Sequence, residues 1–519
     1  MDFFYNTFNS KKIYLFGLLS FVIYIVGFFS SYPYLLDGSS KSVNALDVVR
    51  NVVEYGVMFF SIITFCSILY RGNYFFKSIV FLLLFLLGVN FMISASCLFI
   101  YEQGFNVGMI MSVLDTNLSE SLSMSKTLIL PIIAAVLFVV LVFIFIRELS
   151  KKIYNFKRAP IYLYSFVWVL LPLLFHAKHK YISNKGGGSM IKNVFYHASD
   201  LQKAYNLREE LKLITENKVQ YNLSPLDSEE GLPQNIVILI GESARKQNMS
   251  LYGYGRNTTP IAVSEKHNME VYNNAYSPAA ITNLAVPIIL SNIDIDNYKE
   301  NILSISDNIV NAANHQGYDT YWLSTQGGAA GITAIASFSK NKKWISGFDE
   351  SLLPELSSIL ALNKNSKRRK VIVMHINGSH PYSCDKYPEK EEYWKYQGQL
   401  DNCYDNSIRY TDKVMGEVMK QIEKTNAVLV YVSDHGQIKK DDKYIHGDYR
   451  EAVQVPFFIW YSPLYKTKNR GVEVNKVVST SMVYKTVLEL MGVSNPKGVD
   501  NQGKYLKLDM KAIKYDELK

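Results

Sequence analysis

Hydrophobic residues follow two different patterns along this chain of 519 residues. The N-terminal third contains long apolar segments with at most one charged residue each, whereas the remainder contains short apolar runs bounded by glycine and polar residues. A helix that crosses a bilayer needs roughly 20 apolar residues, and a strand buried on both faces of a parallel sheet needs only about four to eight. The pattern therefore predicts a helical membrane part followed by an α/β part.

Five long apolar segments predict an α-helical bundle of five transmembrane spans, of which the fifth is the shortest. A signal peptide would explain one such segment but not five. Uncharged runs of this length are also rare in the cores of soluble proteins. The segments are Ile13–Ser30, Val53–Tyr70, Ile79–Ile100, Leu128–Ile146 and Ile161–Phe175.

Basic residues orient the predicted spans. If the N-terminus is cytoplasmic, the inner segments carry nine lysines and arginines and the outer loops carry three. This bias follows the positive-inside rule, and an odd number of spans then places everything after about His176 outside the cytoplasm.

These patterns divide the chain into three predicted parts. Residues 1–176 form the membrane domain, 177–233 a bridging segment, and 234–519 an α/β domain. The bridge is expected to contain an amphipathic helix from about Ala198 to Glu216, because apolar residues recur there near helical spacing. Such a helix could lie along the membrane surface or pack on the domain.

Five short apolar runs predict strands of a mostly parallel central sheet. Helical stretches alternate with them, so helices are expected on both faces of the sheet. The runs are Asn235–Ile240, Gly317–Leu323, Lys370–Ile376, Ala427–Tyr431 and Val455–Trp460.

Residues of metal-binding types follow three of these runs. Glu242 comes after the first run, His380 after the third, and Asp434 and His435 after the fourth. In open parallel sheets, ligands bind beyond the carboxyl ends of the strands. We therefore expect these side chains to converge on one edge of the sheet.

Charge and cysteine content restrict the setting further. The formal net charge of +9 suits a protein that works beside anionic lipid or phosphorylated saccharide. No basic–aromatic module appears, so a nucleic-acid partner is not expected. Cys384 and Cys403 are the only cysteines after the predicted spans. An oxidising compartment would permit a disulfide between them, and two free, buried thiols are the alternative.

Several ordered motifs resemble those of the bacterial phosphoethanolamine transferases. The resemblance also covers the five predicted spans, and the ordered set is far more specific than any single motif. It implies a sulfatase-like domain of the alkaline phosphatase superfamily, held at the bacterial inner membrane and facing the periplasm. The matching stretches include Gly241-Glu242-Ser243-Ala244-Arg245, Gly378-Ser379-His380-Pro381-Tyr382, Ser433-Asp434-His435-Gly436 and His446-Gly447.

The resemblance also implies a reaction and a cofactor. The reaction is transfer of phosphoethanolamine from phosphatidylethanolamine to a lipopolysaccharide-type acceptor. The cofactor is Zn2+, and Glu242, Asp434 and His435 supply the nitrogen and oxygen donors that zinc prefers. His380 and His446 are expected to donate to a phosphoryl oxygen, protonate the leaving diacylglycerol oxygen, or bind a second zinc ion.

The nucleophile is where this sequence departs from the family pattern. By resemblance, a threonine should be the fourth zinc ligand and should attack phosphorus. Ungapped matching on Ser277 and Pro287 places Ala280 at that position, and alanine cannot attack phosphorus. Thr282 is the only threonine in the segment, so we predict that it is both nucleophile and metal ligand, with Ser277 as the alternative.

The acceptor is predicted from two departures from the lipid A-modifying relatives. This chain has a single cysteine pair in the predicted periplasmic part and an altered threonine segment. By resemblance, these features favour a core sugar hydroxyl, such as that of a heptose, over a lipid A phosphate. The alternatives are a glycerol-phosphate transferase, a sulfatase or phosphodiesterase of the same superfamily, and a catalytically degenerate envelope protein.

Overall fold

The computed structural model describes two compact units. Most of the first predicted span and all of the fifth lie outside the described residues. The described residues are 17–22, 56, 59–96, 110, 113–114, 118–153, most of 201–226, and 231–519 except 327–329, 363–367 and 441–442.

Apolar helices dominate the first unit. Helix α1 covers Tyr74–Ser96, and helix α2, Leu118–Ile153, lies mainly in this unit. By length and composition, their segments Tyr74–Ile93 and Leu128–Lys152 can each cross a membrane. A shorter apolar helix, Phe59–Leu69, falls within the second predicted span. Two predicted spans are therefore matched by helices of sufficient length, and the number five stays a prediction.

The two long helices are apolar both where they pack and where they are exposed. Phe91 of α1 stacks on Phe138 of α2 with ring centroids 4.6 Å apart. On other sides of the same helices, Phe85 and Leu130 are largely exposed. A helix that is hydrophobic all round is typical of a membrane span.

Strands and helices alternate along the second unit. The strands are β1 Ser224–Pro225, β2 Asn235–Gly241, β3 Met269–Tyr276, β4 Asp319–Ser324, β5 Asn341–Trp344, β6 Lys370–His375, β7 Ala427–Ser433, β8 Ile438–Lys440, β9 Lys443–Ile445, β10 Phe457–Tyr461, β11 Val472–Ser479, β12 Val493–Ser494, β13 Lys504–Leu506 and β14 Ala512–Lys514. The helices are α3 Pro260–Glu265, α4 Thr282–Leu290, α5 Ile309–His315, α6 Ala330–Ser337, α7 Leu353–Ala361, α8 Leu400–Ile422, α9 Arg450–Val453 and α10 Met482–Leu490.

Eight strands form the central sheet, in the order β11-β3-β10-β7-β2-β6-β4-β5. All neighbours are parallel except β10, which is antiparallel to both β3 and β7. The predicted mostly parallel sheet is confirmed, and all five predicted strands belong to it. The sequence patterns missed β3, β5 and β11. Of these, β5 and β11 are edge strands whose residues are mainly exposed, so they lack the apolar run of a buried strand.

Strand β2 is buried along its whole length. Val237 and Leu239 join a core cluster with Ile408 of α8, and Ile236 and Ile238 on the opposite face are fully buried as well. Burial of each such side chain stabilises the fold by roughly 1.5–3 kcal/mol. Both faces of this central strand are therefore covered, as the continuous apolar run predicts.

Of the predicted helix in the bridging segment, the structure describes most of residues 201–216, and these are helical. Residues from Lys203 onward belong to the second unit, and Leu207 and Leu211 are buried. Leu211 lies next to Gly331 of α6. The sequence leaves open whether this helix lies along the membrane surface or packs on the domain. The buried Leu207 and Leu211 favour packing on the domain.

A disulfide joins Cys384 to Cys403. Cys403 lies in the first turn of α8, and Cys384 follows the loop that carries His380. The bond therefore ties this loop to the longest helix of the domain.

Replacing both cysteines with serine should lower the free energy of unfolding by about 3 kcal/mol, because the bond closes a loop between residues 19 positions apart. Denaturation of the detergent-solubilised chain measures this difference. A reducing agent should shift the wild-type midpoint and leave the double variant unchanged. Identical wild-type curves with and without the reducing agent would contradict a stabilising bond.

Candidate functional site

Parallel pairing brings the metal-binding residue types together at one edge of the sheet. Strands β2 and β7 are neighbours, and Gly241 at the end of β2 pairs with Ser433 at the end of β7. The next residue on each strand is an acid, Glu242 on one and Asp434 on the other, and His435 follows Asp434. The expected convergence beyond the strand ends is found.

Four potential ligand side chains lie within contact of one another. The Thr282 hydroxyl oxygen is 3.0 Å from Glu242 Oε2 and 3.2 Å from His435 Nε2. His435 Nε2 is also 3.6 Å from Glu242 Oε1 and 3.3 Å from Asp434 Oδ2. The two acids and the histidine are almost completely buried. This arrangement groups two carboxylates, an imidazole and a hydroxyl around one point.

His435 presents the correct nitrogen for a metal ion. Its Nδ1 lies 2.9 Å from the carbonyl oxygen of Gly436, which can only accept a hydrogen bond. Nδ1 therefore carries the proton, and Nε2 directs a lone pair towards the other three side chains. Burial lowers the pKa of His435, which favours this neutral form.

Asp434 is only partly satisfied by hydrogen bonds. Its Oδ1 accepts from the backbone N–H groups of Ser243, at 3.0 Å, and His435, at 2.6 Å. Its Oδ2 is buried and has no hydrogen-bond partner among the residues that the structure describes. An unpaired buried carboxylate oxygen is costly. A cation held by this donor set would satisfy it, so the residues present fit a zinc ion.

The two carboxylates influence each other strongly. Burial and the neighbouring Glu242 raise the pKa of Asp434 well above its ordinary value. Burial also raises the pKa of Glu242, but His435 and His380 oppose this effect and the net shift is downwards. Two buried acids this close cannot both ionise without compensation, and a bound cation would supply it.

Thr282, not Ser277 or Ala280, is placed beside the ligand atoms. It is the first residue of α4, whose N-terminus favours a phosphoryl anion. Ala280 is fully buried and has no reactive group. The Ser277 hydroxyl is also buried and hydrogen-bonds the backbone carbonyls of Ala279, at 2.7 Å, and Asp434. Of these three residues, only Thr282 has a hydroxyl in contact with Glu242 and His435, and its role as nucleophile stays a prediction.

His446 lies closer to the ligands than the sequence indicated. Together with Glu242 and His435 it forms a cluster of potential ligand atoms within 4.8 Å of one another. Burial and the nearby His435 and His380 lower its pKa well below the ordinary value. His446 is thus positioned for a second metal ion or for a phosphoryl oxygen, and these two roles stay predictions.

His380 faces the same region from another loop. Its ring centroid is 6.3 Å from that of His446. Its Nδ1 lies 2.7 Å from the carbonyl oxygen of Pro381, so this nitrogen carries a proton and Nε2 retains a lone pair in the neutral ring. His380 therefore has the form of a base when neutral.

Two further polar side chains contact Glu242; the sequence indicates only a structural role for the first, Ser243, and the sequence analysis missed the second, Gln326. The Ser243 hydroxyl lies 2.5 Å from Glu242 Oε1 and 3.2 Å from His446 Nε2. Gln326 donates to Glu242 Oε2 at 2.8 Å and to the carbonyl of Ile376 at 2.6 Å. Gln326 follows β4 by two residues. Because ligands bind beyond the carboxyl ends of parallel strands, the position of Gln326 just after β4 is the sequence signal that indicates it.

Glycine is required at position 378. Its φ is +48°, and a Cβ there would lie 2.8 Å from the carbonyl oxygen of Glu242 and 2.9 Å from its nitrogen. The next residue, Ser379, donates its N–H to the same carbonyl at 2.9 Å. The loop that carries His380 can therefore pack directly on Glu242 only because residue 378 has no side chain.

The fold and the site define an α/β domain with a mixed, mostly parallel sheet and a candidate metal centre at the carboxyl edge of that sheet. The solved structure of the integral membrane protein lipooligosaccharide phosphoethanolamine transferase A (EptA) from Neisseria meningitidis has the same fold. It aligns with a TM-score of 0.63 and 19% identity over 96% of this chain and 98% of its own.

Residues 234–493, half of the chain, match the family model described as Sulfatase, and the chain belongs to this family. It is 39% identical over 277 residues to "Putative transferase YhbX" of Escherichia coli (strain K12), spanning 50% of this chain and about half, 49%, of that protein. It is 26% identical over 465 residues to phosphoethanolamine transferase EptC of the same strain, covering 78% of each. The resemblance carried by the sequence motifs is thereby confirmed.

Replacing His435 with alanine should remove bound zinc, because it deletes the nitrogen that faces both carboxylates and Thr282. Elemental analysis of the purified protein should show zinc falling to background. His267→Ala is the matched control, since His267 is exposed and lies outside the site. Undiminished zinc in His435→Ala would reject this metal centre.

Proposed function

We propose that this protein transfers phosphoethanolamine from phosphatidylethanolamine to a lipopolysaccharide-type acceptor at the periplasmic face of a bacterial inner membrane. One observation carries the proposal: the Thr282 hydroxyl contacts both Glu242 and His435 at the start of a helix. The names of the relatives EptC and EptA support it. Two apolar helices of sufficient length support a membrane location, which suits a lipid donor.

The first step would join the donor to the protein. Thr282 Oγ1 attacks phosphorus, the bond between phosphorus and the diacylglycerol oxygen breaks, and diacylglycerol leaves with a proton. A zinc ion held by Glu242, Thr282, Asp434 and His435 would lower the pKa of the hydroxyl and neutralise charge on the phosphoryl oxygens. The N-terminus of α4 would stabilise the same oxygens.

The second step would release the group to the acceptor. A sugar hydroxyl attacks the phosphothreonine, the bond between phosphorus and Thr282 Oγ1 breaks, and the threonine recovers a proton. Unlike a phosphate acceptor, a sugar hydroxyl must lose its proton to a base. His380 and His446 are imidazoles beside the site that can serve as this base. The preference for a core sugar over lipid A rests on the single cysteine pair and the altered threonine segment.

The alternative enzymes would share only attack by the Thr282 hydroxyl on their own donor or substrate. A sulfatase or phosphodiesterase would let water attack the intermediate, and a glycerol-phosphate transferase would use another donor. A catalytically degenerate protein would have no need of a hydroxyl at the ligand position, and the contacts of Thr282 argue against that alternative.

Thr282→Val should prevent formation of a covalent adduct while leaving the fold intact, because valine has a similar shape and no hydroxyl. Intact-mass measurement of the detergent-solubilised protein after incubation with phosphatidylethanolamine detects the adduct, and peptide mapping locates it. Thr282→Ser, which retains a hydroxyl, is the matched control and should still react. An adduct mapped to Ser277 would move the nucleophile there.

Expression of the active protein should add phosphoethanolamine to the lipopolysaccharide core. Mild acid separates the core oligosaccharide from lipid A, and mass spectrometry of both fragments shows where the added mass lies. Cells that express Thr282→Val provide the background. Added mass in the lipid A fragment alone would overturn the core preference, and release of free phosphoethanolamine without transfer would identify a hydrolase.

A further inference from the structure

A C-terminal hairpin, residues 503–515, lies beyond the part of the chain that matches the family model. It contains the antiparallel strands β13 and β14. Its side chains and backbone contact two segments that adjoin proposed catalytic residues. One segment precedes Thr282, and the other follows His446.

The hairpin holds the segment that leads to Thr282. The Gly503 N–H donates to the Tyr276 hydroxyl at 2.7 Å, and the Leu506 N–H donates to the Pro278 carbonyl at 2.8 Å. The ring of Tyr515 stacks on that of Tyr276 with centroids 3.8 Å apart. Tyr276 ends β3, and only five residues separate it from Thr282.

The same hairpin holds the segment that follows His446. The Tyr505 hydroxyl donates to Asp448 Oδ1 at 2.8 Å, and the Leu508 N–H donates to the same carboxylate at 3.2 Å. Tyr505 is fully buried, and Asp448 is two residues after His446. Arg450, further along this segment, lies over the ring of Tyr515, 5.4 Å from its centroid.

We propose that this hairpin fixes Thr282 and His446 relative to each other, and that Tyr505 and Asp448 are positioning residues for the transfer reaction. The inference rests on the proposed function, because that function assigns Thr282 as the nucleophile and His446 as a base for the transfer. A displacement of about 1 Å between reacting groups can lower a rate by roughly 100-fold. Neither positioning residue needs to touch the substrate to have such an effect.

The Tyr505–Asp448 hydrogen bond allows a specific test, because it joins the hairpin directly to the segment that follows His446. Tyr505→Phe removes one hydroxyl and keeps the buried ring. Tyr484→Phe is a matched control, because the Tyr484 hydroxyl donates to Asp307 at 2.7 Å and Tyr484 is also buried. Its network joins Asn495 and Asn292 and contains none of the proposed catalytic residues.

Hydrogen exchange of the detergent-solubilised full chain provides a measurement that does not depend on activity. Tyr505→Phe should accelerate amide exchange in both 277–282 and 446–450, whereas Tyr484→Phe should leave both segments unchanged. Unchanged exchange at 277–282 in Tyr505→Phe would overturn the inference, since the hairpin would then not couple the two segments.

Adduct formation and transfer provide the second measurement. Tyr505→Phe should lower kcat about tenfold with little change in the KM for phosphatidylethanolamine, and Asp448→Asn, which keeps an acceptor oxygen, should retain more activity than Asp448→Ala. Turnover equal to that of Tyr484→Phe would overturn the inference. An inactive wild-type chain would instead reject the proposed function, and the exchange data would still decide whether the hairpin couples the segments.

Discussion

Two carboxylates buried side by side, Glu242 and Asp434, are the constraint on which the site depends. Parallel pairing of β2 with β7 places them at adjacent strand ends, where water cannot screen their charges. Backbone N–H groups and the Ser243 hydroxyl form hydrogen bonds with the carboxylates. His435 directs the lone pair of its Nε2 towards the same point, where a cation would accept it. A cation is the remaining partner that would balance both charges, and Thr282 lies where it would share that cation.

The loops around this centre are held by contacts of different kinds. Gly378 allows the loop that carries His380 to pack on the backbone of Glu242, and a disulfide ties the continuation of that loop to α8. Gln326 holds Glu242 from the end of β4. The C-terminal hairpin contacts the segment that precedes Thr282 and the segment that follows His446. Rigid support from several directions would suit the proposed phosphoryl transfer, because the rate of such a reaction depends on alignment of the attacking and leaving oxygens.

Sequence reasoning succeeded where a residue type has one dominant physical role. The five predicted strands are short and rich in β-branched or aromatic residues, and all are present in the sheet. Thr282 was preferred to Ala280 because only a hydroxyl can attack phosphorus, and its contacts agree with that choice. Strands β5 and β11 were missed because exposed edge strands carry little hydrophobic signal. The sequence predicts a role for His446 in the site, whereas its proximity to Glu242 and His435 is visible only in the folded chain.

By itself, the sequence determined the alternation of strands and helices and the metal-binding residue types that follow β2 and β7, because hydrophobic periodicity and side-chain chemistry are local properties. The tertiary structure alone decided that Thr282 meets Glu242, that Ser243 and Gln326 contact the Glu242 carboxylate, and that the C-terminal hairpin contacts the segment that leads to Thr282. These contacts join distant parts of the chain; Gly503 and Tyr276, for example, are 227 positions apart. Strand register and loop packing set such distances, and no local pattern encodes them.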